Sequence, residues 1–238
     1  MSAYRQSPFA NLTPVVKNLL IINLICFLPF VVMSEQNYHT ITLWTGLTYF
    51  NSPYFKVWQV FTYMFMHGGW QHILFNMFAL FSFGPILEYA IGPKRFLSFY
   101  LICGIGAGLL QLFVQAIEVH NYTGGFTLQF PELIETYQQA GANGQALYDI
   151  YHIPVVGASG AIFGVLVAFG MLFPNMELMM LFIPVPVKAK YLIIFYVVAE
   201  IYAGLSPTAG DNVAHFAHIG GALFGFLLIK AWNLRRIQ

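Results

Sequence analysis

From Val57 to Leu87 the chain runs for 31 residues without a formal charge, more than the roughly 20 that one helix needs to cross a bilayer. Such a run has no place in an aqueous domain of this size, and the rest of the chain agrees with it. Of 238 residues, 58% are hydrophobic and 8% charged, against roughly 25% charge in an ordinary soluble domain. A formal net charge of +1 leaves no basic surface for nucleic acid and no acidic tail. Lipid is the expected surrounding. At about 20 residues per span, the chain holds six helices with about half its length left for loops, so a single-span anchor is ruled out. Cys26 and Cys103 lie inside apolar runs, where a small buried residue is the default reading and a disulfide framework is not.

Residues 1–12 read as a short cytoplasmic segment, without the Arg-rich pattern of a transit peptide or a small-residue cleavage site behind the first apolar run. A single membrane domain is expected over 13–232, with a cytoplasmic tail at 233–238. Its helices are expected at about 13–33, 70–90, 96–117, 157–173, 190–206 and 212–232, because Gly68-Gly69, Gly92-Pro93-Lys94-Arg95 and a Pro-rich turn after Pro174 divide the apolar runs. Outer loops fall at 34–69, 118–156 and 206–211. The first carries Trp44, Tyr49, Tyr54 and Phe55 among polar residues, a composition suited to the membrane interface. In the second, short helices are expected after Pro131 and Gly144. Cytoplasmic loops gather Lys and Arg. With both termini inside, six spans put nine of the ten basic residues on the cytoplasmic side and leave Lys56 outside. The fold class is therefore an all-α membrane protein, a six-helix bundle with cytoplasmic N- and C-termini.

Polar side chains within spans are costly and by default face the bundle interior. Here they are His72 and Asn76 in the second span, Ser159 in the fourth, Glu200 in the fifth, and His215 and His218 in the sixth. All but Glu200 fall toward the outer half. His72 and Asn76 stand one turn apart on one face. The fourth span has 17 residues, about 25 Å of helix against a hydrocarbon core of about 30 Å, so its first turn starts below the outer surface. Ser159 lies in that turn, within Gly157-Ala158-Ser159-Gly160. Free N–H groups and the helix dipole supply oxyanion donors there. A serine hydroxyl needs an adjacent base, and His218 is the candidate. Gly160-x-x-x-Gly164 and Gly221-x-x-x-Gly225 give the fourth and sixth helices small-residue faces on which two backbones can meet. No helical carboxylate stands near enough in sequence to complete a triad, and a Ser-His dyad is the reading.

Each signal alone has a plainer explanation. Gly-Ala-Ser-Gly is most often a packing motif in a membrane helix, a lone span serine usually bonds the carbonyl one turn back, and His67 or His215 alone reads as a hydrogen-bonded structural residue. Glu88 reads as a structural acceptor. Ser159, His218, His72 and Asn76 together, on one side of the bundle, are harder to explain that way.

The sequence resembles the rhomboid family of intramembrane serine proteases. The resemblance rests on His67-Gly68-Gly69-Trp70-Gln71-His72-Ile73-Leu74-Phe75-Asn76-Met77, then Gly157-Ala158-Ser159-Gly160, then Ala217-His218-Ile219-Gly220-Gly221 with Gly225. It covers about 13–232, in the six-helix bacterial form. It implies Ser159 as nucleophile, His218 as general base and then acid, and His72 and Asn76 as oxyanion donors. His67, Gly157, Gly160, Phe163, His215, Gly221 and Gly225 take supporting places. It also implies transmembrane protein substrates with small, helix-destabilising residues near the cut, no cofactor or metal, and a bacterial inner membrane with the site opening to the extracytoplasmic side.

Two departures stand out. Phe163 occupies the place where the family often has a Tyr stacked on the imidazole. The Trp-Arg pair of the first outer loop is missing, since Thr45 follows Trp44. Two rivals remain open from the sequence. One is a catalytically inactive rhomboid-like binder of membrane proteins; the other is a redox protein with His72 and His218 as axial haem ligands. A transporter using Glu200 lacks a matching half repeat, and Thr208-Ala209-Gly210-Asp211 lacks the first glycine of the aspartyl signature.

Overall fold

A computed structural model describes residues 12–129, 143–180, 183–206 and 213–236. Nine α-helices and one two-stranded hairpin occur among them: α1 (Pro14–Val32), α2 (Glu35–Thr45), α3 (Gln59–Thr62), α4 (Trp70–Ile91), α5 (Pro93–Thr123), α6 (Gly144–His152), α7 (Ser159–Leu172), β1 (Glu177–Met180), β2 (Ile183–Lys188), α8 (Ala189–Leu205) and α9 (His215–Ala231). By length and composition, α1, α4 and α5 can each cross a membrane. The shorter apolar helices α7 and α9 pack with α5 at the centre of the molecule.

The helix expected at 70–90 runs from Trp70 to Ile91, and the one expected at 96–117 is longer, from Pro93 to Thr123. Glu118 therefore lies in a helix rather than in the second outer loop. The turn between α4 and α5 is one residue, Gly92, at φ +84; Pro93 then opens α5 with its ring already at a helical φ. The connection expected to be a plain Pro-rich turn after Pro174 instead contains an antiparallel hairpin with Glu177 opposite Lys188. Prolines are tolerated there because both strands of a two-stranded ribbon are edges. The short helix expected after Gly144 is α6; the one after Pro131, with Glu132 and Glu135, lies outside the described residues, as do Thr208–Asp211.

Two polar devices position the bundle. Glu88, in the last turn of α4, accepts from the backbone N–H of Val15 at 3.0 Å and of Val16 at 2.8 Å, and from the Thr13 hydroxyl. This carboxylate satisfies N–H groups that the first turn of α1 cannot satisfy itself. The first outer segment is tied down around Gln59, which is fully buried. Its Nε2 donates to the carbonyls of Leu43 and Tyr54 at 2.8 and 3.0 Å, and its Oε1 accepts from the Thr48 hydroxyl at 2.9 Å. Trp58 stacks on Trp44 and donates to its carbonyl at 2.9 Å. Leu47 and Val155 exchange two backbone hydrogen bonds of 2.8 Å. The segment is thus held by main-chain carbonyls and aromatic stacking in place of the missing Trp-Arg pair.

The small-residue faces bring main chains together. A Cβ added at Gly221 would lie 1.7 Å from the carbonyl oxygen of Gly160, and one at Gly225 would lie 2.7 Å from Cα of Gly164. On the other side of α7, a Cβ at Gly164 would meet Sγ of Cys103 at 2.5 Å. The helices α5, α7 and α9 are therefore spaced by backbone contact.

Candidate active site

Ser159 is the first residue of α7, so its own N–H and those of Gly160 and Ala161 have no partner within the helix. The chain enters this turn through Gly157, whose φ of +130 favours glycine and whose N–H donates to the carbonyl of Tyr63 at 3.0 Å. A Cβ at Gly157 would lie 2.6 Å from Nε2 of His72 and 3.4 Å from the Ser159 hydroxyl. The absence of that atom leaves a gap bordered by the serine and the His72 ring.

His218, in the first turn of α9, faces this turn across the glycine contact. Its Nε2 is 2.8 Å from Oγ of Ser159, and its ring stacks on Phe163 with centroids 4.4 Å apart and planes 10° from parallel. Stacking needs a ring and not a hydroxyl, so phenylalanine fills the place where tyrosine is common. With Nε2 on the serine hydroxyl and one ring face covered, His218 does not fit an axial haem ligand.

Two further polar side chains, His72 and Asn76, come from α4. Nδ1 of His72 accepts from the backbone N–H of Gly68 at 3.3 Å, which places the ring proton on Nε2, the nitrogen beside Gly157. Asn76 is buried, and its Nδ2 has no hydrogen-bond partner among the described residues. A buried amide donor left open calls for an explanation, and developing negative charge on a carbonyl oxygen would supply one. His67 lies fully buried against His72, ring centroids 5.1 Å apart, while its own carbonyl accepts from the Tyr38 hydroxyl at 2.6 Å. Burial, with His72 nearby, pushes its pKa down to about 3, so it supports His72 as a neutral ring.

One residue has a different place from the expected one. Glu200 stands beside the histidines of α9, not deeper in the bundle: its Oε2 is 2.6 Å from Nδ1 of His215 and 2.9 Å from Nδ1 of His218. No helical carboxylate stands near His218 in sequence, yet the fold brings Glu200 beside it. Sequence distance misleads here because α8 and α9 are antiparallel neighbours across a short connection, which folds position 200 back onto positions 215 and 218. The available signal was a carboxylate inside an apolar helix. Its partner depends on how α8 is rotated, which the sequence does not display.

Glu200, His215 and His218 offer three metal-ligating atoms within 4.8 Å of one another. Ligands about 2.0–2.1 Å from a tetrahedral zinc stand about 3.3 Å apart. The observed 2.6 and 2.9 Å separations are shorter than that spacing.

A sequence model of the rhomboid domain matches residues 54–232. The chain is 31% identical over 163 residues to Rhomboid protein 1, mitochondrial, of Saccharomyces cerevisiae, an alignment covering 68% of this chain and 38% of that protein. It is 29% identical over 184 residues to Rhomboid protease AarA of Providencia stuartii, covering 74% and 56%. With Rhomboid protease GlpG of Salmonella newport it shares 30% identity over 91 residues, covering 38% and 33%. The chain spans about a third to just over half the length of these relatives. With a domain match across three quarters of its length, from the first outer segment through α9, this chain belongs to the rhomboid family.

Proposed function

We propose that the protein is an intramembrane serine endopeptidase that cleaves transmembrane segments of other membrane proteins. The observation that carries the reading is the 2.8 Å contact between Nε2 of His218 and Oγ of Ser159 at a helix N-terminus. Ser159 attacks the scissile carbonyl while His218 takes its proton. The oxyanion is met by the Ser159 N–H, His72 Nε2 and Asn76 Nδ2. His218 then protonates the leaving amine, and water, activated by the same imidazole, releases the acyl-enzyme. A helical substrate hides its carbonyls in its own hydrogen bonds, so segments with small and helix-breaking residues are the substrates expected.

The reading includes six spans (α1, α4, α5, α7, α8 and α9), both termini in the cytoplasm, and a site facing the extracytoplasmic side of a bacterial inner membrane. Water reaches the chemistry there through the partly exposed Ser159 and His218. Detergent-solubilised protein treated with a fluorophosphonate probe is expected to carry the adduct on Ser159, and His218→Ala to abolish labelling. Cleavage of a transmembrane reporter by the Ser159→Ala protein would overturn the proposal.

A further inference from the structure

The described structure leaves Nδ1 of His218 buried and without a well-aligned hydrogen bond, although Oε2 of Glu200 lies 2.9 Å away. That same oxygen is 2.6 Å from Nδ1 of His215. The three side chains are 12–17% exposed, and they come from two helices, α8 and α9, with Ser159 completing the row from a third. Resting on the serine-protease reading above, we infer that Glu200 is a positioning residue for His218 and that His215 holds the carboxylate in place, making a serine-histidine-glutamate arrangement.

The chemistry follows from what each nitrogen must do. To accept the Ser159 proton, Nε2 must carry the lone pair, so the ring proton must sit on Nδ1. A carboxylate beside Nδ1 selects that tautomer and holds the ring's angle. When the Ser159 Oγ–H bond breaks and Oγ bonds the scissile carbonyl carbon, the proton moves to Nε2 and the carbonyl π pair moves onto oxygen. Glu200 neither gains nor loses a proton; its charge balances the imidazolium until His218 passes the proton to the leaving amine. Contacts of this type are often poorly aligned before substrate binds and straighten in the reacting complex. His215 donates to the same oxygen, which stops the carboxylate from turning toward water and fixes it at the depth of the imidazole. Phe163 closes the ring face, and Glu200 is the polar group beside Nδ1.

The test measures fluorophosphonate labelling kinetics at Ser159 together with proton NMR of histidine-labelled protein. In Glu200→Gln, the maximal labelling rate is expected to fall by about 10²-fold or more, with the half-saturating probe concentration and the thermal midpoint unchanged. Once its Ser159 is phosphonylated, the unaltered protein is expected to show a low-field Nδ1 proton that is missing from phosphonylated Glu200→Gln. Full labelling rate in Glu200→Gln, or no low-field resonance in the phosphonylated unaltered protein, would overturn the inference while leaving Ser159 as nucleophile. A parallel fall of rate, probe affinity and thermal midpoint would also overturn it, in favour of a purely structural contact. The resonance is read on the unaltered protein, so the inference stays testable if the variant misfolds. An adduct on a residue other than Ser159 would instead overturn the serine-protease reading on which it rests.

Discussion

At the scale of single residues, the proposed site separates side chains with hydrogen-bond partners from side chains left open. Asn76 is the clearest of the second kind, a buried amide whose Nδ2 has no partner among the described residues. An open donor of this sort costs stability in the resting protein, so removing it should not harm the fold. Asn76→Ala is expected to lower the cleavage or acylation rate by about 10²-fold while leaving the thermal midpoint unchanged or slightly raised. His72→Ala should lower the rate by a similar factor. Rate measurements on a transmembrane reporter, set beside thermal melts, check both. A full rate in either variant would remove that side chain from the proposed oxyanion site.

At the scale of elements, the distance between Ser159 and His218 is set by how α7 meets α9. No side chain stands between Gly160 and Gly221, so nothing there can adjust its rotamer to absorb an error. Gly221→Ala puts a methyl group against a carbonyl oxygen, an overpacking that costs about 1–3 kcal/mol and spreads the two helices. The expected outcome is a loss of Ser159 labelling larger than the fall in thermal midpoint suggests, since the shift acts directly on the His218 to Ser159 separation. Labelling and melting of the variant, compared with Ala222→Gly on the same helix, give the measurement.

This scale also explains what was legible in the sequence. The bounds of α4, the Gly92 turn and the glycine faces of α7 and α9 follow from local composition, which is why they could be read directly. The hairpin of β1 and β2 could not, because Pro184 and Pro186 argue against a strand until one sees that the ribbon has only edges. Glu200 was conspicuous as a charge in an apolar helix, yet its pairing with His215 and His218 depends on helix rotation and on the fold-back of α8. Ser159, His218, His72 and Asn76 were visible because each is polar where lipid was expected. The hold on the first outer segment was not, because Gln59 works through main-chain carbonyls that no sequence pattern marks.

At the scale of the whole molecule, the placing of the few basic residues predicts an orientation. If the basic residues mark the cytoplasmic side, the loop ends near Lys94 and Lys188 share one side, and α6 lies on the other. In a Cys26→Ser, Cys103→Ser background, cysteines at Lys94 and Lys188 are expected to resist a membrane-impermeant maleimide in intact cells. One at Tyr148, 44% exposed, should react. Labelling in the reverse pattern would invert the bundle and place the site on the cytoplasmic side.

The carboxylate of Glu88 has a further meaning when the chain is considered in time. Chains emerge from the ribosome N-terminus first, so α1 exists before residue 88 has been made. Until then, the N–H groups of Val15 and Val16 have no acceptor in the protein and depend on water at the membrane surface. Arrival of the last turn of α4 supplies the acceptor, so the opening turn of α1 is completed by a carboxylate made 72 to 73 positions later in the chain.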